Sequence, residues 1–125
     1  MLKNNYKTIE LLFDLPRRLK NIDNRLKNLS LYNLEEDNTE KLFNKLIDIK
    51  LLRNRLYNKY IVLVNTFNTL NKNIRNSVVA VFMKNMPIKK VSSIVNIKER
   101  TMYRKFEKVN EILETALNNQ AVVEV

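Results

Sequence analysis

Three basic side chains near the C-terminus have the spacing of one helix face. Arg100, Arg104 and Lys108 recur at i, i+4 and i+8, and Thr101 and Lys105 lie at its margin. A guanidinium group can bind guanine O6 and N7 in a bidentate manner, so Arg100 and Arg104 are predicted to read base edges. Thr101 is predicted to touch a thymine methyl group or a phosphate, and the two lysines to bind phosphates. The alternative is a solvated helix surface.

The elements that must position these side chains are two short helices and the turn between them. Residues 91–104, VSSIVNIKERTMYR, match the helix-turn-helix pattern I-A-x-x-L-x-I-S-x-R-T-V-Y-R. Ser92 lets two helices cross closely, Val95 and Ile97 are apolar anchors around the turn, and Asn96 stands where positive φ is tolerated. The pattern predicts a first helix over about 87–95 and a recognition helix over about 98–118, able to enter the DNA major groove.

Other residues of this module are assigned to DNA or to the core. Lys89, Lys90 and Lys98 complete the predicted DNA contacts, and the first two are expected on phosphates. Tyr103 is expected to pack against the first helix rather than stack on a base, and Ile94 to pack on the preceding helix. The predicted buried stripe of the recognition helix consists of Met102, Phe106, Val109, Leu113, Ala116 and Leu117.

The composition narrows the classes of function. A net charge of +10 favours a polyanionic partner, with nucleic acid before an anionic membrane, although such a charge can also serve solubility alone. Without Cys, His or Gly the chain has no thiol nucleophile, disulfide, usual zinc site or phosphate-binding glycine loop. We therefore predict no enzyme, no cofactor and no metal.

The sequence also shows neither the pattern of a membrane span nor that of a secretion signal. No uncharged apolar stretch approaches the roughly 20 residues that cross a bilayer, and the N-terminus lacks a long apolar core with a cleavage site. The sequence thus predicts a cytoplasmic protein without membrane association.

Two heptad patterns precede the motif. A polar break at 35–38 separates them, and Asn38 or Thr39 is predicted to cap the second helix. Pro16 is expected in the first turn of the first heptad helix, after a short helix over residues 3–14. The first seam consists of Leu15, Leu19, Ile22, Leu26 and Leu29, and the second of Leu42, Leu46, Ile49, Arg53, Leu56, Tyr60, Leu63, Phe67, Leu70 and Ile74.

These seams predict an all-α fold with an N-terminal antiparallel helical hairpin or coiled coil followed by the helix-turn-helix. The predicted regions are 1–70, 71–118 and a frayed tail over 119–125. For Arg53 we favour a side chain that runs along the seam into water over one paired with a carboxylate. Apolar residues flanking the second seam predict a bundle: Phe43, Leu52, Tyr57, Ile61 and Val64.

Residues 83–117 resemble the helix-turn-helix of sigma factors that reads the −35 element. The residues that carry the resemblance are Val91, Ser92, Val95, Ile97, Arg100, Thr101, Tyr103 and Arg104. The wider layout resembles phage-encoded late transcription regulators of the ArpU and RinA type from low-GC Gram-positive hosts. Lys98 departs from the usual Ser or Thr cap, and Ser92 from the usual Ala. The resemblance implies regulation of phage or mobile-element genes, with an RNA polymerase contact as one option.

Together these patterns predict a sequence-specific regulator that binds double-stranded DNA. Its helical N-terminus would serve a polymerase contact or homodimerisation, and a dimer would place two recognition helices on the order of 34 Å apart. The alternative is a helical interaction or assembly protein that does not bind DNA. A basic amphipathic helix on a membrane surface is disfavoured, because the apolar seams suit protein cores and the chain has no Trp.

Overall fold

A computed structural model of the chain describes residues 5–32 and 39–123. These residues form helices and contain no strand, which confirms the predicted all-α class. The predicted break at 35–38, its candidate cap Asn38 and residues 124–125 of the predicted tail lie outside the described residues. In chain order the helices are α1 (Lys7–Tyr32), α2 (Thr39–Asn68), α3 (Lys72–Val78), a π-helical turn (Val79–Met83), α4 (Ile88–Val95) and α5 (Glu99–Val123).

Helix α1 runs without interruption through Pro16, so the prediction of a separate helix ending near residue 14 is wrong. Proline within a helix leaves the carbonyl four residues earlier without its usual donor and costs about 3 kcal/mol. Pro16 is exposed, and Asp14 accepts hydrogen bonds from Arg17 and Arg18, which follow it by three and four residues. These hydrogen bonds lower the pKa of the Asp14 carboxyl group.

Residues Asp14–Tyr60 form one compact unit, in which α1 and α2 pair as an antiparallel hairpin. Leu19 and Ile49, both on the predicted seams, are buried. Arg53 Nε donates a hydrogen bond of 2.5 Å to Asp23 Oδ1. The expectation that Arg53 extends unpaired into water is therefore wrong, because Asp23 on α1 lies within reach of the guanidinium group.

One side of α2 carries apolar side chains that are exposed to solvent. Phe43, Ile47 and Leu51 are spaced by four residues and are 62%, 39% and 48% exposed. Phe43 belongs to the residues that flank the second seam and that predict a bundle, and the other flanking residues are not fully buried either. Leu52, Tyr57 and Ile61 are exposed as well, and Val64 is half-buried.

The second seam does not continue unbroken, because α2 ends at Asn68 and α3 begins at Lys72. Asn71 caps α3, and its Oδ1 accepts a hydrogen bond of 2.8 Å from the backbone N–H of Asn73. Thr69 Oγ1 donates to the carbonyl of Thr66 at the end of α2. Short polar side chains that bond to nearby backbone groups favour a helix end over the continuation that apolar spacing alone predicts.

Met1–Phe13 and Ile61–Val125 form the other compact unit. This division differs from the predicted one at 70/71, because the start of α1 and the end of α2 pack with the C-terminal helices. Tyr6, Phe82 and Phe106 form a mutual edge-to-face cluster with ring centroids 5.5–6.4 Å apart. Phe13 and Phe67 make a similar contact at 6.1 Å. The core of this unit therefore joins residues from both ends of the chain.

Candidate nucleic-acid interface

The predicted helix-turn-helix is present, and the bounds of its first helix and the start of its second lie within one residue of the prediction. Helix α4 spans Ile88–Val95 and α5 begins at Glu99. Asn96 has φ 57° and ψ 45°, the left-handed conformation that the sequence predicts for it. Pro87 precedes α4 as its cap residue with ψ 137°, one position before the first helical residue. The turn is tight because a left-handed residue redirects the chain within three positions.

Two hydrogen bonds between Ser92 and Ile97 close this turn. The backbone N–H of Ile97 donates to the carbonyl of Ser92 at 3.0 Å, and the Ser92 hydroxyl donates to the carbonyl of Ile97. Ser92 is buried. The serine that departs from the usual alanine is thus small enough for the helix crossing and also bonds to the backbone beyond the turn.

One face of α5 holds it against the rest of its unit. Met102, Phe106, Val109 and Leu113 are at most 3% exposed, as predicted, while Ala116 and Leu117 are half-buried. Val91 of α4 is buried too, and α4 packs on α5 and on the π-helical turn. Burial at i, i+4, i+7 and i+11 fixes the rotation of α5, so it also fixes which side chains face solvent.

The predicted base readers lie on the exposed side of α5. Arg100, Thr101, Arg104 and Lys108 are exposed, as is Lys98 just before the helix. Lys89 and Lys90 are exposed on α4. Within the described part of the chain none of these cations forms an ion pair; the ion pairs found there involve Arg17, Arg18 and Arg53. Seven of the eight predicted contact residues are therefore free to meet a ligand.

Lys105 is the exception among the predicted contacts. It is half-buried and lines a cleft between α3 and α5, together with Asn71, Ile74 and Phe106. Lys105 lies at the margin of the exposed face of α5, next to the buried stripe, and residues of α3 line the same cleft. Lys105 is thus less exposed than Arg104, its neighbour in the sequence.

Acidic groups interrupt the basic face. Glu99 and Glu107 are exposed on the same helix. Glu99 lies in the first turn, where the helix dipole favours a carboxylate. Acidic side chains therefore occur among the basic ones of α5, before Lys108. Burial raises the pKa of the Tyr6 phenol, and the Glu107 carboxylate raises it further.

Two expectations for apolar residues of the motif have different outcomes. Ile94 is 67% exposed, so the prediction that it packs on the preceding helix is wrong; α4 turns that side to solvent. Tyr103 is half-buried, and its carbonyl accepts a hydrogen bond of 3.4 Å from the Tyr6 hydroxyl. Helix α5 also extends to Val123, five residues past its predicted end and into the predicted tail.

The sequence patterns do not reveal the role of Asn110. This buried residue of α5 accepts hydrogen bonds at Oδ1 from the backbone N–H groups of Thr8 and Ile9, at 2.8 and 3.0 Å. These donors belong to the first turn of α1, where a helix has no acceptors of its own. A polar residue beside the apolar stripe of α5 is the one sequence signal that could have suggested a buried partner.

The residues that the structure describes include no group of three or more Asp or Glu side chains close enough to hold a metal ion. Among the helices described, none combines the length and apolarity needed to cross a bilayer.

No protein-family model, no curated protein and no solved structure matches the chain. The resemblance to sigma-type helix-turn-helix modules and to phage regulators therefore stays a prediction.

Proposed function

We propose that the chain is a sequence-specific regulator that binds double-stranded DNA and inserts the first half of α5 into the major groove. The observation that carries the proposal is the pair Arg100 and Arg104: both are exposed and unpaired within the described residues, on a helix whose opposite side is fixed in the core. A rigid helix presenting guanidinium groups matches the donor geometry that guanine O6 and N7 accept.

The surrounding charges support a division of roles. Lys89 and Lys90 lie on the preceding helix, where contacts with phosphates position a recognition helix. On α5, Thr101 lies between the two arginines in the sequence, and Lys108 follows Arg104 by four residues. Glu111 and Glu114 follow in the later turns, so the end of α5 disfavours contact with the DNA backbone. A regulator of phage or mobile-element genes would act in the cytoplasm, where such genes are transcribed.

The test is fluorescence-anisotropy binding to duplex fragments selected from a random-sequence pool, at two salt concentrations. The double variant Arg100→Ala/Arg104→Ala should lose the preference for the selected fragment over a scrambled one, by about tenfold or more per arginine. The matched control is Lys50→Ala/Arg55→Ala, which removes the same charge from exposed positions of α2. Selection of no preferred fragment, or equal loss in both double variants, would contradict base reading by α5.

A protein–protein interaction is the second candidate function, and the exposed apolar row Phe43, Ile47 and Leu51 on α2 favours it. Monomeric proteins seldom expose large contiguous apolar patches. This candidate predicts association that persists at high salt, whereas DNA binding weakens as salt rises because phosphate contacts release counterions. Sedimentation velocity of the wild-type chain and of Phe43→Ser/Leu51→Ser at high salt tests whether this row holds two copies of the chain together.

A further inference from the structure

A cleft with a volume of about 310 Å³ opens between α3 and α5 near the end of α4. Its size is at the lower end of the range of small-molecule sites. Half-buried apolar side chains line part of it: Ile74, Val95 and Ile97. Met102 and Phe106 also line the cleft, but each is 1% exposed and offers a ligand almost no surface.

Two polar side chains that line the cleft, those of Lys105 and Asn71, can donate hydrogen bonds to a ligand. Lys105 is the one charged side chain that lines it, and this lysine has no ion-pair partner among the described residues. Asn71 uses its Oδ1 to cap α3, which leaves its amide N–H groups for a ligand. Ser77 already donates to the carbonyl of Asn73. A half-buried cation beside spare amide donors favours an anion over a cation or a neutral donor.

We propose that this cleft binds a small amphipathic molecule with an apolar, preferably aromatic, body and one negative charge. The body lies against Ile74, Val95 and Ile97, and the carboxylate or sulfonate group accepts hydrogen bonds from Lys105 and Asn71. The exposed face with Arg100 and Arg104 takes no part, so this inference stands apart from the proposed DNA binding and is tested without DNA.

Two fluorescent probes with the same aromatic body test the proposal on the full chain. One is 8-anilinonaphthalene-1-sulfonate, and the other is the neutral N-phenyl-1-naphthylamine. We expect saturable binding of both, with the sulfonate about tenfold tighter because a charge-assisted hydrogen bond adds to apolar burial. Lys105→Gln should abolish that advantage and leave the affinity for the neutral probe unchanged. Lys72→Gln removes an exposed lysine outside the lining and should change neither affinity.

A second pair of variants locates the probes independently of charge. Asn73 is exposed at the edge of the cleft, and Asn76 is exposed on the same helix outside the lining. Asn73→Phe should block entry and weaken both probes at least about tenfold, while Asn76→Phe should leave both unchanged. Circular dichroism and thermal melting confirm that each variant is folded. Absence of saturable binding by the wild-type chain, or binding insensitive to Asn73→Phe or to Lys105→Gln, would overturn the proposal.

Discussion

The side chain of Asn110 on α5 caps the first turn of α1, and its Oδ1 lies 2.8 Å from the backbone nitrogen of Thr8. The two residues are 102 positions apart in the chain. A helix N-terminus is usually capped by a residue just before it, whereas here the cap comes from the helix that carries the candidate DNA contacts. The beginning of the chain is thus bonded directly to the candidate recognition helix.

Asn110→Ala should lower the free energy of unfolding by about 1–3 kcal/mol, because two buried backbone N–H groups lose their acceptor. Urea unfolding followed by circular dichroism measures the change. Asn118→Ala, at an exposed position of the same helix, should change stability little. Equal effects of the two substitutions would show that the cap contributes nothing.

Tyr6 should make stability depend on pH in the alkaline range. Burial raises the pKa of its phenol above the ordinary value of 10.0. The contribution is therefore fully present below pH 10.0 and is lost as pH rises through the folded-state pKa, since the unfolded chain ionises first. The difference in unfolding free energy between wild type and Tyr6→Phe should shrink above pH 10.0. A difference that stays constant through the alkaline range would contradict this expectation.

Asn96 should tolerate glycine but not alanine. Its φ of 57° is open to glycine without steric cost, while a Cβ with no hydrogen-bonding group costs about 1–2 kcal/mol there. Thermal melts should therefore rank Asn96→Gly near or above wild type and Asn96→Ala below it. Ser93→Ala is the control, because Ser93 is an exposed residue of α4 with ordinary helical geometry. A stable Asn96→Ala variant would mean that the turn can adopt another conformation.

The pair Arg53 and Asp23 should couple α1 to α2 in a salt-dependent manner. Both side chains are partly exposed, at 35% and 49%, so mobile ions screen their attraction. A double-mutant cycle with Arg53→Gln and Asp23→Asn should give a favourable coupling at low salt that diminishes at high salt. Arg53 also lies over the Tyr57 ring at 5.7 Å, so the cycle should be repeated with Tyr57→Leu. A coupling energy of zero at low salt would show that the ion pair does not stabilise the hairpin.

Lys89 and Lys90 should affect DNA binding without regard to sequence. If each neutralises one phosphate, each substitution by Gln should reduce the slope of log affinity against log salt by about one. The preference for the selected fragment over a scrambled one should stay unchanged. Anisotropy titrations over a salt series measure both quantities. A changed preference with an unchanged slope would reassign these lysines from phosphates to bases.

Much of the fold could be predicted from local sequence patterns. The all-α class, the bounds of α4 and the left-handed Asn96 follow from helical periodicity and from the limits on φ and ψ of single residues. The buried stripe of Met102, Phe106, Val109 and Leu113 follows from the same periodicity. These features depend on neighbours within a few positions, so the sequence states them directly. The role of the exposed arginines remains a prediction.

Other features were decided by packing between distant segments. Pro16 lies within a helix although local propensity opposes it, and Arg53 pairs with Asp23 although its own seam offers no partner. Lys105 lies in a cleft because α3 packs beside α5. The Asn110 cap and the cluster of Tyr6, Phe82 and Phe106 join residues far apart in the chain. Sequence alone determined the all-α class and most of the apolar helix faces; only the tertiary structure decided which faces meet, because that depends on contacts between residues far apart in the chain.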